Sequence, residues 1–265
     1  MLSVLPFNLL IKHLVFICLS VFSPASADKT QTNPISKNEK TVTVTGSNSI
    51  SKINAEEINY LLGKFDHKKD KDFVLVDARF SSKVIYLRKE VYLKFKEMYE
   101  AAQKEGIKLT IISGTRNFDD QKRIWENKWI KFSSLGDSVS IMKKILLYSS
   151  MPSTSRHHWG TDMDLISLES PYFEKGQGLK EYKWLVEHAG KFGFCQVYDD
   201  KKETKRSGYE LEKWHWSYMP LSSIYLKKYN ELVNYSNING FTGSKLAKKI
   251  NVIDEFVNGI NKKCE

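Results

Sequence analysis

The sequence predicts an α+β fold, because it mixes helices of ordinary length with a few short strands and contains no internal repeat. The clearest helix covers residues 87–104, where apolar side chains recur at the spacing of one helix face. These positions are Val91, Phe95, Met98 and Ala102. Gly106 is typical of a helix end, and the β-branched segment IKLTII, residues 107–112, predicts a strand directly after it.

The other elements are predicted from the same patterns, in chain order. Residues 53–65 are expected to form a short helix, and DFVLVD, residues 72–77, a short strand. Asp119 and Asp120 suit the first turn of a further helix, where the helix dipole favours negative charge. The remaining predictions are helices over 137–148, 178–192 and most of 221–265, and strands over 163–166 and 194–198.

The N-terminus has the features of a secretory signal. Lys12 and His13 precede LVFICLSVF, an apolar run that is short for a membrane span. Ala25 and Ala27 then form the small-x-small pattern that a signal peptidase recognises. We therefore expect residues 1–27 to be a signal peptide and the protein to be exported, to the periplasm or cell envelope. An uncleaved N-terminal anchor is the competing interpretation.

Composition narrows the class of protein. A chain of 265 residues with 41% hydrophobic residues is sufficient for a globular domain with a core, whereas residues 28–50 are polar and predict a flexible arm. The net charge of +10 suits an anionic cell envelope, or serves solubility alone. The basic residues are dispersed and no nucleic-acid-reading motif is present, so we expect no nucleic acid partner.

Export would leave two cysteines, Cys195 and Cys264. Two thiols in an oxidising compartment can form a disulfide. The sequence leaves both the paired and the unpaired state open.

One short segment, SRHHWGTDMDL at residues 155–165, has the side chains that a divalent metal binds. His157 and Asp164 can point at one centre if the chain bends at Gly160 and continues as a strand. This spacing alone is weak evidence. A second segment, ELEKWHW, adds His215 as a third ligand and Glu212 as a general base for a metal-activated water.

Together with a third segment, these motifs resemble the M15 family of zinc peptidases, the D-alanyl-D-alanine carboxypeptidases of the VanY type. That family shows S-x-H-x-x-G-x-x-x-D, then E-x-W-H, and an earlier S-x-x-R-x-x-x-x-Q. The matching residues are Ser113, Arg116, Gln121, Ser155, His157, Gly160, Asp164, Glu212, Trp214 and His215. Three motifs in the right order are more specific than any one of them, and the resemblance covers roughly residues 80–220.

The resemblance implies a LAS-type metallopeptidase fold, in which a small central antiparallel sheet is flanked by helices and carries the zinc site. It also implies roles for individual residues. Zinc ligands would be His157, Asp164 and His215. Glu212 would be the catalytic base, and Arg116 would stabilise a carboxylate or the developing oxyanion. The terminal carboxylate of the peptide would be gripped by Ser155 and Gln121.

From this resemblance we expect a zinc peptidase domain over 51–220 and a helical C-terminal extension over 221–265 that packs on it. The expected activity is removal of D-alanine from peptidoglycan stem peptides. We expect a monomer without a membrane span once the signal is cleaved. The alternatives are an L,D-carboxypeptidase, a peptidoglycan endopeptidase, or a non-catalytic zinc-containing wall-binding domain.

One departure from the family pattern is Asp162, where the family usually has a small apolar residue such as alanine. A regular strand would put Asp162 on the same face as Asp164. Asp162 is therefore a partner of the ligands or an alternative ligand, and we favour Asp164 as the ligand. His158 should point away from His157 on an extended backbone.

Overall fold

The computed structural model describes residues 46–264, with side chains from residue 54 onward. The predicted signal peptide and residues 28–45 of the predicted arm lie outside this part. The helices are α1 (Gly46–Leu61), α2 (Lys89–Lys104), α3 (Phe118–Lys131), α4 (Ser138–Ile145), α5 (Gly176–His188), α6 (Lys201–Thr204) and α7 (Met219–Leu232). The strands are β1 (Phe73–Leu75), β2 (Tyr86–Arg88), β3 (Ile111–Ser113), β4 (Asp162–Leu165), β5 (Phe194–Cys195) and β6 (His215–Tyr218).

The predicted α+β class is confirmed. Strands β1 and β2 form an antiparallel pair, and the central sheet has the order β3-β4-β6-β5 with every neighbouring pair antiparallel. Helix α1 begins at Gly46, so the predicted arm is helical over residues 46–50. Strand β6 has no counterpart among the predicted elements.

The larger hydrophobic core lies between the central sheet and helices α2 and α5. The apolar face predicted for α2 is confirmed, since all four of its predicted positions are buried. Met163 and Leu165 of β4 and Trp216 of β6 join the same core. Burial of each large side chain contributes about 1.5–3 kcal/mol. The strands that carry the motif residues are therefore held by extensive packing.

A second core joins α3 and α4 to the C-terminal segment. Trp125 of α3 packs against Phe241, with ring centroids 5.9 Å apart, and Met142 of α4 belongs to the same cluster. Cys195 and Cys264 form a disulfide, with Cα atoms 5.8 Å apart. It ties the end of the described chain to strand β5.

Beyond α7, the C-terminal segment differs from the helical extension expected over residues 221–265. It consists of single 3₁₀ turns and one π-helical turn, Ile253–Val257. Gly240 and Gly243 both have positive φ, at 89° and 80°, which interrupts a right-handed helix. Within residues 46–264, none of the helices combines the length and the apolar character needed to cross a bilayer.

Candidate active site

Two neighbouring strands bring the predicted metal ligands together. The antiparallel register of β4 and β6 places Asp164 opposite His215. On its other edge β4 pairs with β3, where Asp164 lies opposite Ser113. Residues from all three sequence motifs therefore meet at one point of the central sheet, although they are far apart in the chain.

His157 reaches this point from a 3₁₀ turn just before β4. The turn ends at Gly160, which has φ of 72° and whose added Cβ would lie 2.3 Å from a ring carbon of Phe73. Only glycine fits there without strain. His157 Nδ1 lies 2.8 Å from the Gly114 carbonyl oxygen, which can only accept a hydrogen bond. Nδ1 therefore carries the proton, and the Nε2 lone pair is directed at Asp164, 3.4 Å from its Oδ1.

The three side chains fit a divalent metal ion. Ligand atoms of His157, Asp164 and His215 all lie within 4.8 Å of one another. Within the described residues, the buried His157 Nε2 has no hydrogen-bond partner, and an unmet buried polar atom costs about 1–3 kcal/mol. A cation would satisfy it. Two imidazole nitrogens and one carboxylate are the donors that catalytic zinc sites use.

His215 lies between two buried aspartates. Its Nδ1 is 3.1 Å from Asp164 Oδ1, and its Nε2 is 3.0 Å from Asp162 Oδ1. Burial alone would lower the pKa of His215, but the hydrogen bonds to Asp162 and Asp164 raise it to about 9. Burial alone would raise the pKa of Asp164, but the cationic imidazole of His215 holds it well below its ordinary value. The free protein therefore keeps this cluster as paired charges.

Glu212 lies beside the predicted metal ligands and is itself 5% exposed. Its Oε2 is 3.8 Å from His215 Nδ1, and its backbone N–H donates to the Tyr198 carbonyl at 2.9 Å. Burial raises the pKa of Glu212 to about 8, with His215 opposing the shift. A carboxyl group that titrates near neutral pH can both accept and return a proton.

Arg116 follows β3 and extends over the same site. Its Nη2 lies 3.9 Å from Asp164 Oδ2, and its side chain is 23% exposed. The Arg116 N–H donates to the His157 carbonyl at 3.2 Å, which fixes its backbone to the ligand turn. Its Nε is buried and has no partner within the described residues. The guanidinium thus retains hydrogen-bonding capacity for a bound molecule.

His158 is buried beneath Arg116 rather than directed at the metal site. Its Nδ1–H donates to the Arg116 carbonyl at 2.7 Å, and its Nε2 accepts from the Ser153 N–H at 3.1 Å. Both ring nitrogens are used in the neutral form. Burial lowers the pKa of His158 to about 3. The imidazole therefore serves as an uncharged link that supports the Arg116 backbone.

The structure separates the two residues expected to grip a carboxylate. Gln121 lies in the first turn of α3, which a capping box of Asn117 and Asp120 fixes. Its Nε2 donates to the Ser150 carbonyl at 2.8 Å, and its buried Oε1 has no partner in the described chain. Both side chains are 1% exposed, but Gln121 lines the site cavity and Ser155 is not among the lining residues.

A cavity of about 550 Å³ opens over the predicted metal ligands, Glu212 and Arg116. Sequence reasoning missed several of its lining residues. Tyr198 packs against the imidazole of His215, with ring centroids 4.6 Å apart. Lys128 also lines the cavity, seven residues after Gln121 and thus on the same face of α3. Helical spacing from Gln121 could have identified Lys128. Tyr198 is brought near His215 only by the folded chain, in which its carbonyl accepts a hydrogen bond from the Glu212 N–H.

Comparison with known proteins identifies a family to which the chain is similar. The family model described as "VanY: D-alanyl-D-alanine carboxypeptidase" matches residues 84–221. The putative carboxypeptidase YodJ of Bacillus subtilis is 34% identical over 168 residues, which cover 61% of this chain and 58% of that protein. A D-alanyl-D-alanine carboxypeptidase of Enterococcus faecium is 31% identical over 154 residues, covering 57% of this chain and 44% of that protein.

The chain thus spans about half the length of the curated relatives it matches. Among solved structures, VanYB in complex with D-Ala-D-Ala aligns with a TM-score of 0.48 and 21% identity, over 63% of this chain and 88% of that one. The family match covers more than half of the 265 residues and contains every residue named above as a metal ligand, acid or guanidinium. The chain belongs to the VanY family of D-alanyl-D-alanine carboxypeptidases.

Proposed function

We propose that this chain is a zinc-dependent carboxypeptidase that removes a C-terminal D-amino acid from peptidoglycan stem peptides, with D-alanine from D-Ala-D-Ala as the main product. One observation carries the proposal: three metal-ligating side chains, an acid and a guanidinium line one cavity. Membership of the VanY family supports the substrate class. The predicted signal peptide supports action in the periplasm or cell envelope.

The proposed zinc ligands are His157 Nε2, the Asp164 carboxylate and His215 Nδ1. Catalytic zinc sites have three protein ligands, whereas structural sites are usually closed by a fourth. When bound, zinc supplies Lewis acidity, which polarises a carbonyl group and lowers the pKa of water toward ~7. The buried, unpaired Nε2 of His157 supports this assignment.

Glu212 is the proposed general base and acid. Its Oε2 lies near the metal ligands, 3.8 Å from His215 Nδ1, without being needed as a ligand. It would accept a proton from the attacking water and then donate it to the leaving amine. General acid–base catalysis of this kind contributes about 10²–10⁴-fold to the rate.

Arg116 would bind the free carboxylate at the peptide end, because its planar guanidinium forms two parallel hydrogen bonds to such a group. A carboxylate grip at this place makes the enzyme an exopeptidase, since an internal peptide bond offers no such group. Gln121 presents an unpaired acceptor oxygen. It would therefore contact an N–H of the substrate, whereas Ser155, which does not line the cavity, would make no such contact.

The test is incubation of the purified chain with synthetic tri-, tetra- and pentapeptide stems, with and without a chelator. Mass spectrometry should show loss of one alanine from the pentapeptide, and the chelator should abolish it. Glu212→Gln should lose about 10²–10⁴-fold in rate while it retains zinc. Glu210→Gln is the matched control, because Glu210 pairs with Lys201 at 2.7 Å and is not a cavity residue.

Other products would overturn parts of the proposal. Trimming of the tetrapeptide alone would make the enzyme an L,D-carboxypeptidase, and release of larger fragments from crosslinked material would make it an endopeptidase. A Glu212→Gln variant that binds zinc and retains the full rate would refute the role of Glu212. Zinc binding without hydrolysis of any stem would support a wall-binding domain instead.

A further inference from the structure

Asp162 is a fully buried carboxylate at the edge of the site that the mechanism above does not use. Its Oδ1 accepts hydrogen bonds from Arg156 Nε and His215 Nε2, both at 3.0 Å. Its Oδ2 accepts from the Thr161 hydroxyl at 2.5 Å. Both oxygens are therefore occupied by protein donors, and none of these donors belongs to a solvent-exposed side chain.

The sheet register explains why Asp162 contacts His215. In the β4–β6 pair, Asp162 lies opposite Ser217 and Asp164 lies opposite His215. Residues two apart on a strand point to the same face. The two aspartates therefore flank the His215 ring, one at each nitrogen, so Asp164 lies next to Nδ1 and Asp162 next to Nε2.

Arg156 holds Asp162 in this place. Its guanidinium is buried, donates from Nη2 to Ser217 Oγ at 2.7 Å, and lies 4.9 Å above the Trp159 ring. Ser217 and Trp159 thus fix the guanidinium, and the guanidinium fixes the carboxylate. Movement of Asp162 toward the metal ligands would leave Arg156 as an unpaired buried charge, which is strongly unfavourable. Asp162 is therefore a poor alternative ligand.

We propose that Asp162 is a positioning residue for zinc binding, an inference that rests on the zinc site proposed above. By accepting the Nε2–H of His215, it keeps the proton on Nε2 and directs the Nδ1 lone pair at the metal. Carboxylates that hydrogen-bond a ligating histidine fix its tautomer and ring orientation, and their loss typically weakens metal affinity 10–100-fold. The other histidine ligand, His157, is held by the Gly114 carbonyl instead.

The experiment compares the zinc affinity of the parent chain and Asp162→Asn by competition with a chromophoric chelator. Loss of the carboxylate should weaken zinc binding about 10–100-fold. Glu181→Gln is the matched control, because Glu181 is also a buried carboxylate that accepts hydrogen bonds from two side chains, on helix α5. Its zinc affinity should equal that of the parent.

A second measurement separates positioning from a general structural role. In ¹⁵N NMR of the zinc-loaded protein, the His215 Nε2–H should exchange slowly with solvent in the parent and faster in Asp162→Asn. If Asp162→Asn fails to fold, the double variant Arg156→Met/Asp162→Ala removes both charges and leaves no unpaired buried ion. Circular dichroism of the metal-free proteins verifies that each variant is folded before its zinc affinity is compared.

The outcomes distinguish the two proposals. Equal zinc affinity in the parent and in a folded Asp162 variant, with lower thermal stability alone, would overturn the positioning role and leave the zinc enzyme intact. A parent chain that binds no zinc would refute the proposed function, and the role of Asp162 with it. Weakened zinc binding together with faster Nε2–H exchange would support both.

Discussion

The affinity for zinc should depend steeply on pH, because a proton competes with the metal for His215. Hydrogen bonds to Asp162 and Asp164 outweigh burial and raise the pKa of His215 to about 9, so the free protein holds a cationic imidazole at neutral pH. Metal binding requires the neutral ring and must release this proton. Burial and Arg116 lower the pKa of His157, so that ligand is already neutral.

The size of this pH dependence follows from the competition of one proton with the metal at His215. Below pH 9, each pH unit toward acid weakens zinc binding tenfold, which is 1.36 kcal/mol. Between pH 8 and pH 6 we therefore expect a loss of roughly 100-fold. At least one proton should be released per zinc ion near pH 7. Protonated Glu212, whose pKa burial raises to about 8, would add to this release if the cation ionises it.

Isothermal titration calorimetry in two buffers with different enthalpies of protonation counts the released protons directly. Competition with a chelator of known pH dependence gives the affinities. The control is the chelator titrated alone across the same range. An affinity that stays constant from pH 6 to pH 8, with no proton released, would show that His215 is neutral in the free protein and would refute the argument.

Three further predictions concern substrate binding and stability. Arg116→Lys should lower kcat/KM about 10–100-fold with unchanged zinc affinity, because one charged hydrogen bond contributes about 1.5–3 kcal/mol. An unchanged KM would contradict binding of the substrate carboxylate by Arg116. Replacement of Cys195 and Cys264 by serine should reduce the free energy of unfolding in urea by ~4 kcal/mol, since the bridge closes a loop of 69 residues. A loss below ~1 kcal/mol would contradict stabilisation by loop closure. His158 has a folded pKa of about 3, below its ordinary value of 6.5, so the unfolded chain takes up the proton first. The contribution of His158 to the free energy of unfolding should therefore fall by ~2 kcal/mol from pH 6.5 to pH 5. If the free energy of unfolding of a His158→Gln variant depended on pH as steeply as that of the parent, this prediction would be contradicted.

The sequence was sufficient to predict which proposed metal ligands converge because their chemistry is specific. Few sites other than metal sites combine two histidines, an aspartate and a glutamate at this spacing. In the structure, the ligand atoms of His157, Asp164 and His215 lie within 4.8 Å of one another. Helix α2 was predicted for a different reason, since one of its faces is buried and its apolar period is regular.

Strand β6 escaped prediction because all four of its residues, His215–Tyr218, are buried. A strand covered on both faces shows no alternation of polar and apolar residues. The contact between Asp162 and His215 could not be predicted from the sequence either, because it depends on the β4–β6 register. Ser155 carries the family motif, yet its hydroxyl is buried away from the cavity lining, which no local pattern reveals.

The proposed metal ligands and the cavity residues beyond them come from different parts of the fold. Asp164 and His215 lie on the central sheet, which packs against the larger core. In contrast, Gln121 and Lys128 reach the cavity from helix α3, which packs in the second core with the C-terminal segment. Substitutions on α3 should therefore change the lining of the cavity without disturbing the proposed metal ligands. For this reason the motifs predict a reaction more readily than they predict a substrate.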